Sequence, residues 1–304
     1  MSQKDEIPVV FIHTGHVPLY LANAIEQAQK YGNRVVLITD HLSASVNAEI
    51  VDYASLNLDE KEFKLYYKHM SSNSYDFEFI CIYRWFLLKN YMAMEKIDRV
   101  LYLDSDVYLY ENANKIVEHY SYPEFGYNVP SSQENYRWAG TASCSVWHAD
   151  ALNSLCTCIK VHYTTEKIRK LEEKWDYHTV NCIPGGICDM TFLYIFSANR
   201  GFFNLGKVHH YCCFDYNHPV PDNYEKNEYK MSLSSKIGIE TKMIHFVDGL
   251  PYCKNLLSGE KVRFFALTEY AKLILAGQRL TLATRLKRRS GWIFKRMMGT
   301  KAKA

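Results

Sequence analysis

Asp104 and Asp106 stand one residue apart at the end of an apolar run, Val100-Leu101-Tyr102-Leu103, with Ser105 between them. In an extended chain residues i and i+2 point the same way, so the two carboxylates are expected to converge. Converging carboxylates repel unless a proton or a cation joins them. A divalent metal ion that holds a diphosphate suits that arrangement. The same short pattern also describes two solvated turn residues, so the surrounding chain has to decide. The run in front of Asp104 reads as a strand buried on both faces, as at the centre of a parallel sheet. Ligands of open α/β sheets bind at the carboxyl ends of such strands.

Other residues could share that chemistry. In Met243-Ile244-His245-Phe246-Val247 a short strand presents His245 just before a turn at Asp248-Gly249, and Lys254 follows. A histidine beside two aspartates would complete a metal shell. Mixed nitrogen and oxygen ligands suit manganese, with magnesium the alternative where oxygen dominates. Read alone, His245 is better taken as a core histidine hydrogen-bonded to backbone. Arg84 lies among aromatic residues on an expected helix, and its planar fork matches carboxylate or phosphate; the alternative is a surface salt bridge. Asp189 opens an apolar helix after Pro184-Gly185-Gly186. The helix dipole accounts for an acid there, and a role in orienting or deprotonating an acceptor hydroxyl is the functional reading. Thr14 and Asp40 close two expected strands, where each would contact a base or ribose or simply cap the next turn. His209-His210 with Cys212-Cys213 raises zinc, but adjacent cysteines do not fit ordinary ligand spacing.

The elements that must position these residues are expected as follows. Pro8–His13 and Arg34–Asp40 are buried strands, and between them Leu21, Ala24, Ile25 and Ala28 recur at helical spacing until Gly32-Asn33. Strand, helix and strand open a parallel sheet with a right-handed crossover. Phe79 to Met94 is a helix leading into the aspartate strand. Phe125–Val129 and Ser143–Trp147 read as strands, Ala149–Ile159 and Thr165–Trp175 as helices, the latter with an exposed charged face. Phe202–Lys207 reads as an edge strand, His209–Tyr229 as a long loop and Lys261–Ala276 as a helix. There is no Gly-x-Gly-x-x-Gly at the first turn and no phosphate-binding Gly-Lys-Ser/Thr loop, which removes support for dinucleotide oxidoreductases and P-loop enzymes.

The chain has 304 residues, enough for one large α/β unit, and its nine cysteines have no disulfide rhythm, as in a reducing cytosol. No apolar run is long enough to span a membrane, and residues 1–6 are polar, without a signal-peptide core. The net charge of +3 is uneven: residues 270–304 hold ten Lys or Arg and no acid, leaving 26 basic against 33 acidic residues elsewhere. Nucleic-acid binding by the body is therefore not expected. The tail interleaves Leu, Trp and Phe with its basic residues, which suits either packing on the body or lying on an anionic membrane surface.

Three segments in order, Val9–Asp40, Arg84–Asp106 and Ile187–Gly249, resemble a nucleotide-sugar glycosyltransferase of the GT-A fold. Tyr83-Arg84 ahead of Val100-Leu101-Tyr102-Leu103-Asp104-Ser105-Asp106, and Ile244-His245-Phe246-Val247-Asp248-Gly249, are similar to segments of glycosyltransferase family 8, to which glycogenin and bacterial lipooligosaccharide galactosyltransferases belong. The resemblance implies manganese at Asp104, Asp106 and His245, donor contact from Arg84, diphosphate contact from Lys254, and Asp189 as the catalytic or orienting carboxylate; Thr14, Asp40 and Ser105 are expected on the nucleotide side from their places at the strand ends. Two departures are visible: the family's lysine comes sooner after its histidine, and Met190 replaces the amide of its Asp-Gln pair.

The expectation is thus an α/β, Rossmann-like GT-A fold. A mostly parallel central sheet is flanked by helices, with a short antiparallel element and a C-terminal basic helix. It divides into a domain over 1–269 and a basic amphipathic tail over 270–304. The expected function is metal-dependent transfer of a sugar from a nucleoside diphosphate donor, UDP-linked by resemblance, to a saccharide or glycoconjugate acceptor, with a lean to retention. The expected location is cytoplasmic, with peripheral contact to an inner membrane face through the tail. A nucleotidyltransferase using the paired aspartates, and a non-catalytic glycan-binding protein on the same scaffold, are the alternatives.

Overall fold

A computed structural model describes residues 6–130, 132–198, 200–215, 245–248, 250–254 and 261–268. The first strand, β1 (Val9–His13), is followed by helix α1 (Leu19–Lys30) and strands β2 (Val35–Thr39) and β3 (Glu49–Asp52). Two short helices, α2 (Tyr53–Leu56) and α3 (Glu60–Tyr66), precede the long α4 (Tyr75–Glu95), which feeds β4 (Arg99–Leu103). Then come β5 (Tyr108–Leu109), α5 (Ala113–His119), β6 (Phe125–Asn128), β7 (Thr141–His148), α6 (Ala149–Thr164), α7 (Ile168–Val180) and α8 (Asp189–Ser197). The strands β8 (Phe203–Asn204), β9 (Cys212–Asp215), β10 (His245–Val247), β11 (Leu250–Lys254) and β12 (Lys261–Leu267) complete the described chain.

Seven strands form the main sheet in the order β3-β2-β1-β4-β7-β6-β8. Neighbours run parallel except β7, which is antiparallel to both β4 and β6. The parallel strands β1, β2 and β4 are apolar through their middles because both faces are covered. Val9, Phe11, Val35, Leu37, Leu101 and Leu103 enter one core cluster, which α1 and α5 help to form. Their alternates Val10, Val36, Ile38, Val100 and Tyr102 enter the other, packed by α4, α6 and α8. Two faces buried at period two is what a continuous Val, Ile and Leu run records.

A second sheet runs β10-β11-β12-β5, with β9 also pairing β12. It joins the first immediately after the aspartates, where Tyr108 and Leu109 of β5 pair antiparallel with Leu267 and Ala266. Here two expectations are corrected. Lys261–Leu267 is a strand and not the start of a helix: Val262, Phe264, Phe265 and Ala266 are buried, and three partners, β5, β9 and β11, use its hydrogen-bonding edges. The segment His209–Tyr229 is not all loop, since Cys212–Asp215 pairs parallel with β12. Its partner lies some fifty residues away, which local pattern does not reveal. The basic tail, residues 270–304, and the Tyr216–Tyr229 part of the expected loop lie outside the described residues. No described helix is long and apolar enough to cross a membrane.

Candidate active site

The carboxyl ends of β1, β2 and β4 share one edge, because His13 is level with Thr39 and Phe11 with Leu103. Thr14 and Asp40 follow directly and are exposed there. Asp40 Oδ1 accepts from the Gly15 amide at 2.6 Å, so it already ties the two strand ends together. Asp104 follows β4 and is anchored through its amide to the Ser143 carbonyl at 2.8 Å.

The aspartates do not converge by strand alternation. The chain turns at once, with the Val107 amide donating to the Asp104 carbonyl at 3.2 Å. A turn gathers three consecutive side chains on one side, so Asp104, Ser105 and Asp106 all line a cavity of about 380 Å³ together with Arg84 and Asp189. Asp106 is 7% exposed.

Arg84 is the hub of this cavity. Its Nη1 donates to Asp104 Oδ1 at 2.8 Å and to the Tyr102 hydroxyl at 2.8 Å, while Nη2 donates to Asp189 Oδ2. Tyr102 in turn donates to Asp104 Oδ1 at 2.9 Å. The guanidinium also lies 5.1 Å from the Tyr102 ring centroid. Burial works against its charge, but Tyr102, Asp189 and Asp104 outweigh burial and hold its pKa well above the ordinary value. Burial pushes the Asp189 carboxyl up, against the pull of Arg84. Its other oxygen accepts from the Met190 amide at 2.8 Å, so both oxygens are engaged.

Asp189 reaches this place because Gly186 lets the chain in. At φ +139° a Cβ there would come within 2.3 Å of the Met70 carbonyl and 2.8 Å of the Trp175 ring. Only glycine allows that approach. Residues that sequence reasoning missed complete the wall. Glu78 is 2% exposed; its Oε1 accepts from Asn73 at 2.6 Å and Ser71 at 3.2 Å, and its Oε2 has no partner. Burial raises its carboxyl above the ordinary value, Asn73 notwithstanding, and Asp189 adds to the rise. Burial lifts the Cys188 thiol to about 11, so it lines the cavity as a neutral group. Glu78, Cys81 and Arg84 recur every three residues on α4, a same-face spacing that could have exposed Glu78.

His245 and Lys254 lie on strands β10 and β11 of the second sheet. His245 is level with Tyr252, and Tyr252 with Arg263, whereas Tyr108 next to the aspartates is level with Leu267. Strand pairing alone does not bring His245 beside Asp106, and the side chains of His245 and Lys254 lie outside the described residues. No group of three or more His, Cys, Asp or Glu suited to a metal ion occurs among the described residues. That includes His209 and Cys212, which face each other across a tight turn through paired backbone hydrogen bonds of 2.7 and 2.9 Å.

No family model and no curated protein sequence matches the chain. Several solved structures are similar to it. Mouse xyloside xylosyltransferase 1 in its apo form is 11% identical, with a TM-score of 0.47 over 74% of this chain and 92% of that one. Galactosyltransferase LgtC in complex with donor and acceptor sugar analogues is 13% identical, with a TM-score of 0.40 over 69% and 75%. A glycosyltransferase involved in glycosylation of the major capsid of PBCV-1 is 16% identical, with a TM-score of 0.30 over 59% and 80%.

Proposed function

We propose that this protein is a metal-dependent GT-A glycosyltransferase that moves a sugar from a nucleoside diphosphate donor, UDP-linked by resemblance, to a saccharide or glycoconjugate acceptor. The observation that carries the reading is the turn Asp104-Ser105-Asp106 at the carboxyl end of a central strand, opening into a cavity that Arg84 and Asp189 also line. The donor set fits a hard divalent cation. Both side-chain hydrogen bonds described for Asp104 fall on Oδ1, and small cations are commonly held by one or two carboxylates together with substrate phosphates. Asp104 and Asp106 would hold manganese or magnesium, with His245 proposed as a third ligand. When bound, such an ion supplies Lewis-acid stabilisation of the leaving diphosphate.

The chain's own residues then do the following. Arg84 fixes Asp104 and Asp189 in one geometry and itself lines the cavity. Ser105 lies between the two carboxylates, where a phosphate oxygen can accept from its hydroxyl. Thr14 and Asp40 stand at the same sheet edge for the nucleoside, and Lys254 is proposed for the diphosphate. Asp189, with both oxygens engaged, is better suited to orienting a sugar hydroxyl than to removing its proton. That fits retention of configuration.

The test is donor turnover: release of UDP from UDP-glucose, UDP-galactose and UDP-xylose, with and without EDTA, in wild type and Asp106→Ala. The expected result is metal-dependent release that Asp106→Ala abolishes. Equal release in EDTA, or pyrophosphate release from nucleoside triphosphates instead, would overturn the reading.

A further inference from the structure

A second cavity, of about 460 Å³, lies at the opposite end of α8. Lys167, Lys170 and Arg200 line it with His162, Trp138 and Tyr194, and no carboxylate is among its walls. Among the described residues none of these three cations meets an acid, whereas Lys64, Lys68, Lys89 and Lys160 each meet a glutamate or an aspartate. Three unpaired cations around one hollow repel each other and favour an anion. Arg200 is already stacked, its guanidinium 4.5 Å from the Phe196 ring centroid.

The remaining walls suit a ring. Trp138 and Tyr194 stack with centroids 6.1 Å apart and planes 23° apart, presenting flat apolar surface beside the cations. The C–H face of a pyranose packs on such surface, and its hydroxyls need polar partners. His162 provides one: its Nδ1 lies 2.8 Å from the Cys158 carbonyl and therefore carries the proton, leaving Nε2 as an acceptor in the neutral ring. Burial holds that ring neutral, and Lys167 and Lys170 add to the effect.

We propose that this cavity is a second binding site, for a saccharide that carries a phosphate or carboxylate group. The anion pairs with Lys167, Lys170 and Arg200, the sugar ring lies against Trp138 and Tyr194, and a hydroxyl donates to His162. An inorganic anion alone would use the cations and leave the aromatic walls bare. The site is independent of the glycosyltransferase reading, since it shares no lining residue with the aspartate cavity.

The experiment is saturation-transfer NMR and tryptophan fluorescence on the full chain with glucose 6-phosphate, glucuronic acid, glucose and inorganic phosphate. At least one of the two anionic sugars is expected to bind about tenfold or more tighter than glucose and phosphate, and the pair distinguishes phosphate from carboxylate. The double variant Lys167→Ala/Lys170→Ala, both exposed positions, is expected to weaken that binding by about tenfold, and Asp106→Asn to leave it unchanged. Equal binding of inorganic phosphate, equal binding of glucose, or no binding of either anionic sugar would overturn the proposal. So would binding that Asp106→Asn removes and the lysine variant keeps, because it would then belong to the aspartate cavity.

Discussion

At its N-terminal end α8 presents Asp189 to Arg84 and Asp104, while at its C-terminal end it meets Lys167, Lys170 and Arg200 with no carboxylate between them. The helix dipole favours both placements, acids at the start and bases at the end, so the sign of the charges does not by itself mark function. What differs is how the charges are held. The first end is buried and charge-paired, with Arg84 bridging two carboxylates and a phenol. The second is exposed and unpaired. A closed network fixes geometry before a ligand arrives, whereas an open cluster is completed by one.

The sharpest way to break this comparison is Arg84→Leu. Removing the bridge leaves Asp104 and the buried Asp189 without their cation, and urea unfolding is expected to show a loss of about 3–5 kcal/mol. Arg84→Lys should recover part of it, keeping the charge but not the fork. A variant as stable as wild type would show that the network is not closed as described.

Lys174 probes the ground between the two ends. Its Nζ donates to Thr191 Oγ1 at 2.9 Å and to the carbonyls of Arg137 and Trp138 at 3.1 and 3.4 Å, it pairs with no carboxylate among the described residues, and burial pulls its amine down to about 8. Since its folded pKa lies below the ordinary value, the unfolded chain binds the extra proton between about 8 and 10.5. Stability due to this residue therefore rises with pH across that window. Relative to Lys174→Met, wild type is expected to gain roughly 3 kcal/mol between pH 7 and pH 10.5, read from urea midpoints at each pH. A constant difference would contradict the buried, uncompensated charge. A smaller effect is expected from Tyr102→Phe, which removes only the hydroxyl between Arg84 and Asp104: about 1–2 kcal/mol by the same measurement.

Much of this arrangement is legible in the chain. Strands β1, β2 and β4 announce themselves because burial on both faces leaves unbroken apolar runs, and the edge they share carries Thr14, Asp40 and Asp104. Arg84 stood out as a charge among aromatics, and its partners prove to be the site carboxylates and not a surface acid. Other features were hidden because they depend on distant partners. Lys174 was expected on an exposed face, yet it is 2% exposed, since its carbonyl acceptors come from a loop more than thirty residues earlier. The sequence around Glu78 does not single it out, because Ser71 and Asn73, which hold it, lie in a stretch without periodicity. Strand β12 reads as a helix in the sequence because most of its residues are buried, which leaves no period-two alternation, and its partners β5 and β9 lie far away in the chain.

The central claim is that the Asp104-Asp106 turn binds a nucleoside diphosphate sugar through a divalent ion, and isothermal titration of UDP in the presence of manganese tests it most directly. The account predicts binding to wild type that disappears when EDTA replaces the metal and falls at least about tenfold in Asp106→Asn. Binding that is equally tight without metal and in Asp106→Asn would contradict it.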